Sequence, residues 1–345
     1  MITASPGARL TRPEIGRSET GTMPDWRQLW RDAVTDPAEL LALLGLPQLA
    51  DQLPPADAGF ALRVPRGFIA RMRHGDANDP LLLQVLPQLA ELDEVPGFVA
   101  DAVGDLDSRA AKGLLHKYHG RALLIASGSC AINCRYCFRR HFPYGEETAA
   151  AGQWRQALEH LRQDRSISEL ILSGGDPLSL ATSKLEALSH GLAELPHVTR
   201  LRIHTRLPVV LPERIDASFL SWLGALPLQK VVVLHINHAR EIDAGVEAAC
   251  ARLRDAGVTL LNQSVLLRGV NDDEGVLAEL SERLFAAGVL PYYLHQLDQV
   301  QGTAHFEVTD AHAQALVDAL RARLPGYLVP RLVREVGGDL SKRPL

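Results

Sequence analysis

Residues 122–144 read ALLIASGSCAINCRYCFRRHFPY, a short apolar run that passes directly into three cysteines. The run has the length and composition of a β-strand, and Cys130, Cys134 and Cys137 follow it with the spacing Cys-x3-Cys-x2-Cys. Three thiolates can hold three irons of a [4Fe-4S] cluster and leave the fourth iron open to a further ligand. The segment therefore predicts a strand that delivers a metal-binding loop at its carboxyl end.

Two other interpretations of these cysteines stay open at this point. A structural zinc ion requires four closed ligands, and only the nearby His141 or the distant Cys250 could complete the set. Buried, unreactive cysteines are the second interpretation, although three within eight residues is a high density. A disulfide scaffold is excluded, because four cysteines in 345 residues are too few to build one.

Strand-like and helix-like patterns alternate after residue 120. Strands are predicted at residues 122–127, 169–173, 200–204, 230–236, 258–267 and 289–294. Helices are predicted at 150–164, 182–194, 213–225, 240–256, 273–287 and 310–323. This alternation predicts an α/β fold with a parallel sheet, either doubly wound or curled into a barrel. The chemistry is then expected at the carboxyl ends of the strands, where Ser173, His204, His235, Gln263 and His295 stand.

Composition narrows the class of function. The net charge of -5 and the sequence pI near 6.2 give no general attraction to nucleic acid or to an anionic membrane. The first residues lack the apolar core of a secretory signal, and no apolar run approaches the roughly 20 residues of a membrane helix. We expect a cytoplasmic protein that acts on small molecules, with no nucleic-acid or membrane partner.

Three regions are predicted along the chain. Residues 1–23 are rich in Gly, Pro, Ser and Thr and are predicted to be a flexible arm. Residues 24–115 are predicted to be a helical N-terminal region, with Asp36-Pro37 as a helix start and a helical run at 80–92 interrupted by Pro87. The core is predicted to occupy residues 116–345.

The cysteine segment resembles the signature of the radical S-adenosylmethionine (SAM) superfamily, in which an aromatic residue, here Tyr136, precedes the last cysteine. The resemblance implies a partial (βα)6 barrel with the cluster in the loop after the first strand. It also implies that the end of the second strand binds SAM. The SAM-binding residues implied in this way are Tyr136, Ser173, Gly174, Gly175 and Asp176.

Longer segments are similar to the lysine 2,3-aminomutase family, from about residue 110 onward. They are KYHGR from 117, CFRR from 137, LSGGDPL from 172, RLPVVLPERI from 206, HINHARE from 235, NQSVLLRGVND from 262, PYYLHQLD from 291, GTAHF from 302 and GGDLSKRPL from 337. The nearest likeness is to the short aminomutases that make (R)-β-lysine for the modification of elongation factor P.

This resemblance implies a second cofactor, pyridoxal 5′-phosphate (PLP), held covalently by Lys342. Taken alone, Lys342 would be interpreted as a frayed surface lysine. Gly337 and Gly338 would give the backbone room to approach the cofactor. Basic and hydroxyl donors suit its phosphate. The implied phosphate ligands are Arg121, Tyr118, Lys117 and, as a weaker candidate, Arg206.

The same resemblance implies the substrate contacts. Arg139 matches the residue that binds the substrate carboxylate, and Asp298 matches a carboxylate that holds the side-chain ammonium. Glu335 stands where the long lysine aminomutases have a second aspartate. His295 stands where a tyrosine is expected near the pyridine ring. The cysteines of a C-terminal zinc extension are missing, so we expect no zinc and interpret Cys250 as a buried helix residue.

The implied function is the conversion of L-lysine to (R)-β-lysine with a [4Fe-4S] cluster, SAM and PLP. The expected partners are free L-lysine, an external electron donor of the flavodoxin or ferredoxin type, and an elongation factor P lysyl ligase that takes the product. The alternatives are a 2,3-aminomutase for glutamate or arginine, a radical enzyme without PLP that modifies RNA or protein, and a non-catalytic zinc or iron-sulfur protein.

Overall fold

The computed structural model describes residues 25–55, 60–152 and 154–345. The predicted arm at residues 1–23 lies outside the described residues. Within them, ten strands form one sheet in which the spatial order follows the chain order. The strands are β1 (Arg109–Ala111), β2 (Leu114–Tyr118), β3 (Arg121–Ser127), β4 (Glu169–Gly174), β5 (Arg200–Thr205), β6 (Gln229–His235), β7 (Thr259–Val265), β8 (Leu290–His295), β9 (Arg331–Arg334) and β10 (Arg343–Pro344).

The described α-helices lie between these strands and ahead of them. They are α1 (Trp26–Arg31), α2 (Pro37–Leu43), α3 (Arg66–Ile69), α4 (Pro80–Leu83), α5 (Arg155–Gln163), α6 (Thr182–Leu192), α7 (Leu207–Val210), α8 (Ala217–Ala225), α9 (Ala244–Asp255), α10 (Glu274–Ala286) and α11 (Asp310–Arg323). No helix of these described residues is both long enough and apolar enough to cross a membrane.

Strands β3 to β9 are parallel. Each strand from β3 to β8 is followed by a helix that returns the chain, which makes six βα units and confirms the predicted partial (βα)6 architecture. The sequence patterns did not predict β9 or the antiparallel pairs β1–β2 and β9–β10 at the sheet edges. These strands are two to five residues long, too short to show a clear period.

Local signals fix where the outer helices begin and end. The side chains of Asp216, Asp243 and Asp273 each accept a backbone N–H in the first turn of α8, α9 and α10. Such caps each contribute about 1 kcal/mol. Two residues after the end of α9 and of α10 stands a glycine of positive φ, Gly257 (φ 76°) and Gly288 (φ 75°), from which the chain enters the next strand.

The region before β1 contains short helices rather than long ones. In the predicted run at residues 80–92, α4 ends at Leu83 and only a 3-10 turn, Leu89–Leu92, follows. Pro87 lacks the N–H that a continuous helix would need. The predicted boundary between residues 115 and 116 falls inside β2, so the two predicted regions share the sheet.

This N-terminal region supports the cysteine loop directly. Asn133 N–H donates to the Arg63 carbonyl (3.0 Å), and Arg135 N–H donates to the Gln84 carbonyl (2.9 Å). The guanidinium of Arg135 is buried and donates through Nε to Glu91 Oε1 (2.8 Å). Arg140 NH2 donates to Glu91 Oε2 (2.8 Å). We call this set of contacts the buttress of the loop.

The sheet is curved enough to bring its two edges together. Lys117 lies in β2 near one edge, Glu335 follows β9 at the other, and Lys117 Nζ is 3.0 Å from Glu335 Oε1. We call this ion pair the seam. A cavity of about 780 Å³ lies within the curve of the sheet.

Candidate active site

The cavity is lined by side chains from strands across the whole sheet. Every site residue that the sequence predicted lies on its wall. These residues are Lys117, Tyr118, Arg121, Cys130, Cys134, Tyr136, Cys137, Arg139, Ser173, Gly174, Gly175, Asp176, Arg206, Asp298, Glu335 and Lys342. The structure therefore brings together residues more than 200 positions apart, but it gives several of them partners that the sequence did not indicate.

The loop that follows the carboxyl end of β3 carries the three cysteines Cys130, Cys134 and Cys137, all of which line the cavity. Burial raises the pKa of Cys130 well above its usual value and that of Cys137 to about 11, with the neighbouring thiols adding to both shifts. The three sulfurs do not all lie within 4.8 Å of one another. A single tetrahedral zinc with Zn–S bonds of about 2.3 Å would need sulfurs roughly 3.8 Å apart. A set of three thiolates would suit a cubane, in which each thiolate binds a different iron. Cys250 is fully buried in α9, as the sequence indicated.

The end of β4 packs against this loop. Gly174 has φ +113°, and a Cβ on it would lie 2.6 Å from the Ser127 carbonyl oxygen. A Cβ on Gly175 would lie 2.7 Å from the Ser129 carbonyl oxygen. Gly175 N–H donates to Ser127 O (2.7 Å). Residues without a Cβ are therefore required at these two positions, where the end of β4 packs against the end of β3 and the cysteine loop.

Asp176 is engaged by its own chain. Its Oδ1 accepts from Leu178 N–H (3.0 Å) and Thr205 Oγ1 (2.7 Å). Its Oδ2 accepts from the N–H groups of Arg206 (2.8 Å) and Leu207 (3.1 Å). Burial raises its pKa to about 6 in spite of these donors. The carboxylate holds the turn after β5, which disfavours the predicted direct contact with SAM through this group.

Arg206 stands beside the cysteines. Its NH1 donates to Cys134 Sγ (2.8 Å), and its NH2 donates to Gln84 Oε1 (2.6 Å) and Glu241 Oε2 (3.0 Å). Because these partners occupy both terminal nitrogens, the geometry argues against the predicted phosphate role. With a cluster bound, the guanidinium would donate to the thiolate of Cys134, and hydrogen bonds to cluster sulfurs affect the reduction potential.

Lys117 and Lys342 share one carboxylate. Lys342 Nζ donates to Glu335 Oε2 (2.8 Å), and Lys117 Nζ donates to Glu335 Oε1 (3.0 Å). Lys117 Nζ also donates to Val103 O (2.8 Å) and lies 2.6 Å from Asp105 Oδ1. An ammonium has three donors, so Lys117 has none left for a phosphate, and its predicted role is disfavoured. Burial raises the pKa of Glu335, but Lys342 and Lys117 outweigh this and leave it well below its usual value.

Arg139 is held by two partners and keeps one edge free. Its Nε donates to Asp105 Oδ2 (2.6 Å), and its NH1 donates to Ser173 Oγ (3.0 Å). One N–H of NH1 and both of NH2 have no acceptor among the described residues. The outer edge of the guanidinium can therefore bind a carboxylate with two parallel hydrogen bonds.

Asp298 differs from the other carboxylates of the cavity. Its Oδ1 is buried and has no hydrogen-bond partner among the described residues. Burial and the nearby charge of Glu335 raise its pKa to about 7, although Lys342 and Lys117 act in the opposite direction. A buried carboxylate of this kind is unfavourable when it is charged and alone, so a cation bound in the cavity would stabilise it.

Four further residues carry polar groups that the sequence-based assignment left without a role. Buried atoms without a partner among the described residues face the cavity from His204 (Nε2), His235 (Nε2) and Gln263 (Oε1). Burial lowers the pKa of His235 to about 3 and that of His204 well below its usual value, so both imidazoles are neutral. The sequence indicated a role for His204, His235 and Gln263 only through their position at the carboxyl ends of predicted strands. Asp105, which orients Arg139, lies in a loop without any motif.

Comparisons with known proteins identify relatives of this chain. A family model described as a 4Fe-4S single cluster domain matches residues 119–200. The chain is 50% identical over 328 residues to the L-lysine 2,3-aminomutase of Escherichia coli (strain K12). The matched region covers 94% of this chain and 96% of that protein.

The L-lysine 2,3-aminomutase of Haemophilus influenzae is 46% identical over 319 residues, with 92% of this chain and 94% of that protein covered. Among solved structures, a radical SAM methyltransferase from Sphaerobacter thermophilus matches with a TM-score of 0.47 and 19% identity, over 66% of this chain and 70% of that chain. Because identity to the two aminomutases extends over nearly the whole of each chain, the chain belongs to the lysine 2,3-aminomutase family.

Proposed function

We propose that the chain is a lysine 2,3-aminomutase that moves the amino group of L-lysine from Cα to Cβ and forms (R)-β-lysine. The observation that carries this proposal is the pairing of opposite charges across one cavity. The free edge of Arg139 suits the substrate carboxylate, and the unpartnered carboxylate of Asp298 suits a side-chain ammonium. These are the two charged ends of lysine.

The cavity offers ligands for three cofactors. Cys130, Cys134 and Cys137 fit a [4Fe-4S] cluster, and the neutral His235 and Gln263 offer polar atoms for SAM beside Tyr136, Ser173 and the β4 glycines. When bound, the reduced cluster and SAM supply a 5′-deoxyadenosyl radical, and PLP supplies a conjugated ring that stabilises the substrate radical.

Residues near Lys342 fit the second cofactor. The Lys342 amine reaches the cavity wall, where its Nζ lies 5.8 Å from the ring centre of Tyr293 and 3.5 Å from His295 Nε2. Arg121 is stacked on the ring of Tyr118 (4.7 Å) and makes no ion pair within the described residues, so its donors can bind a phosphate. Arg121 and Tyr118 are therefore our proposed phosphate ligands, without Lys117 and Arg206.

The chain itself contributes position and shielding. Arg139, fixed by Asp105, orients the carboxylate end of lysine, while Asp298 fixes the far end and so limits how the carbon chain can lie. Glu335 holds the Lys342 amine in place and closes the seam, which helps to exclude water from the reacting carbons. Glutamate is disfavoured as a substrate, because its side-chain carboxylate would face the negative charges of Asp298 and Glu335.

The substrate assignment is tested by offering L-lysine, L-arginine and L-glutamate to the anaerobically reconstituted enzyme and separating the β-isomers. We expect β-lysine to predominate. Asp298→Asn should lower kcat/KM for lysine, because losing one partner of a shielded charge pair costs about 2 to 5 kcal/mol. The fall should be at least about tenfold.

Asp318→Asn, which changes an exposed aspartate of α11, is the matched control and should leave kcat/KM unchanged. Preferential formation of β-arginine or β-glutamate would overturn the lysine assignment. Equal effects of the two substitutions would overturn the role of Asp298.

The covalent attachment of PLP is tested separately. Borohydride reduction of the PLP-loaded enzyme should fix the pyridoxyl group on Lys342, because its amine is the one placed against Tyr293 and His295. Lys342→Ala should lose both the label and aminomutation. Lys184→Ala changes an exposed lysine of α6 and should lose neither. A label found by mass spectrometry on another lysine would contradict the assignment.

The wider role is also part of the proposal. We assign the product to an elongation factor P lysyl ligase and the electrons to a flavodoxin or ferredoxin in the cytoplasm. The support is the sequence resemblance to the short aminomutases of that modification. In a coupled reaction with the ligase and elongation factor P, the enzyme and lysine should add the mass of one β-lysyl group to the factor. Absence of this adduct, with β-lysine formed, would contradict the downstream role alone.

A further inference from the structure

A second group of metal-ligating side chains lies away from the cavity, between β2 and α5. His116 comes from β2, His160 from the last turn of α5, and Asp164 caps the end of that helix. Across residues 25–55, 60–152 and 154–345, this is the group of three His, Cys, Asp or Glu residues whose ligand atoms all lie within 4.8 Å of one another. None of the three lines the cavity.

The backbone presents these side chains together. His160 and Asp164 are four residues apart at the end of one helix, a spacing that puts both side chains on the same face. Asp164 N–H donates to the His160 carbonyl (2.9 Å), which holds the final turn. On β2, Leu115 pairs with Leu123 and Tyr118 pairs with Arg121, so one extra residue is accommodated at positions 116–117. Such bulges redirect side chains.

The polar atoms of the group are incompletely satisfied. His160 Nε2 is buried and has no hydrogen-bond partner among the described residues. Asp164 Oδ1 accepts from Ser166 N–H (3.0 Å) and Ser166 Oγ (2.6 Å), which fixes the carboxylate. The other oxygen, Oδ2, lies 3.7 Å from His116 Nδ1. The two imidazole rings stand edge to face, with centres 6.1 Å apart.

We propose that His116, His160 and Asp164 bind a divalent transition-metal ion, for which Zn²⁺ is the best match. Two imidazoles and a carboxylate are typical zinc ligands, and three protein ligands leave a fourth position for water. Mg²⁺ and Ca²⁺ require mainly oxygen ligands, which this group does not provide. Ser166, which donates to Asp164 Oδ1 through its N–H and its hydroxyl, would orient the carboxylate toward the ion.

The proposed ion joins a strand to a helix. Lys117 and Tyr118 follow His116 directly in β2 and face the cavity, so the ion would fasten the strand that carries them to the end of α5. The expectation of no zinc rested on missing cysteines of a C-terminal extension. It does not bear on a site built from histidine and aspartate.

The test is a Zn²⁺ titration of the cluster-loaded protein against a chromophoric chelator. Cluster loading keeps the three cysteines occupied, and iron is measured before and after so that displacement is detected. We expect one Zn²⁺ per chain with no loss of iron. His160→Ala and Asp164→Asn should each weaken binding at least about tenfold. His190→Ala, which changes an exposed histidine in the last turn of α6, is the matched control and should have no effect.

Two further measurements separate a metal site from a simple His–Asp pair. Zn²⁺ should raise the thermal unfolding midpoint of the natural chain and of His190→Ala, but not of His160→Ala. X-ray absorption at the zinc edge should show nitrogen and oxygen ligands. The proposal is overturned if the cluster-loaded chain binds no Zn²⁺, if His160→Ala and Asp164→Asn bind it as tightly as the natural chain, or if the zinc has sulfur ligands.

Discussion

Asp298, Glu335 and Asp105 are three carboxylates on one cavity wall, and their surroundings give them different charges. Asp105 and Glu335 each contact two cations, which lower their pKa values against the effect of burial. Among the residues that the structure describes, Asp298 has no cation at hydrogen-bond distance, and burial and Glu335 raise its pKa to about 7. The identity of each residue was visible in the sequence, but the partner that decides its charge was not.

The raised pKa of Asp298 predicts how lysine use depends on pH. At pH values below its pKa of about 7, the carboxyl group of Asp298 is mainly protonated and cannot hold the substrate ammonium. The value of kcat/KM for lysine should therefore rise with pH through about 7 and fall by up to about tenfold per pH unit on the acid side. The check is a profile of kcat/KM against pH for the natural enzyme and for Asp298→Asn. If this acid limb is unchanged in Asp298→Asn, another group is responsible.

Sequence reasoning was strongest for residues whose function follows from local spacing. The three cysteines and the glycines at the end of β4 are identified by their neighbours in the chain, and all of them line the cavity. The family resemblance, supported by their basic character, assigned Lys117 and Arg206 to the cofactor phosphate. Their donors are used by Glu335, Asp105 and Glu241, and no pattern in the sequence indicates these pairings.

At the scale of elements, the strand ends were predictable because β-α alternation fixes which edge of a parallel sheet carries the chemistry. What could not be predicted is contact between neighbouring strand ends. Gly174 shows this, since its closest neighbour is the Ser127 carbonyl at the end of β3. A Gly-Gly-Asp run in the sequence does not specify which backbone it approaches.

Gly174→Ala is expected to disturb the cysteine loop. Alanine is strained at φ +113°, and its Cβ would lie 2.6 Å from the Ser127 carbonyl oxygen. We expect a loss of about 2 kcal/mol or more in unfolding free energy and a lower iron content after reconstitution. Gly224→Ala in α8 meets no atom within 4 Å and is the control. It should gain up to about 1 kcal/mol and keep its iron. A normal iron content in Gly174→Ala would contradict this account.

At the scale of the whole molecule, the N-terminal region and the sheet form one structure around the cysteine loop. The sequence indicated helices before residue 115, but it did not indicate that they hold the loop in place. That role depends on Glu91, whose buried carboxylate receives Arg135 and Arg140. These are contacts between segments more than 40 residues apart, which composition and periodicity do not reveal.

Glu91→Gln should therefore weaken the molecule and its metal site together. Removing one partner of a buried charge pair leaves an uncompensated charge and costs about 3 to 5 kcal/mol. We expect a lower unfolding midpoint in urea and faster loss of iron to a chelator. Glu194→Gln breaks an exposed pair with Arg162 and should change neither property. Similar behaviour of the two variants would show that the buttress does not support the loop.

The seam has a further consequence for the order in which the parts of the cavity form during synthesis and folding. Glu335 is synthesised 218 residues after Lys117, so the contact between the two sheet edges can form only late in the synthesis of the chain. The cysteine loop, Gln84 and Glu91 all leave the ribosome long before. Until β9 pairs with β8, the cysteines are present and supported while the side of the cavity stands open. The ion pairs of Glu335 with Lys342 and Lys117 therefore form only after the segments that carry the cysteines, and their loss would leave that side of the cavity open.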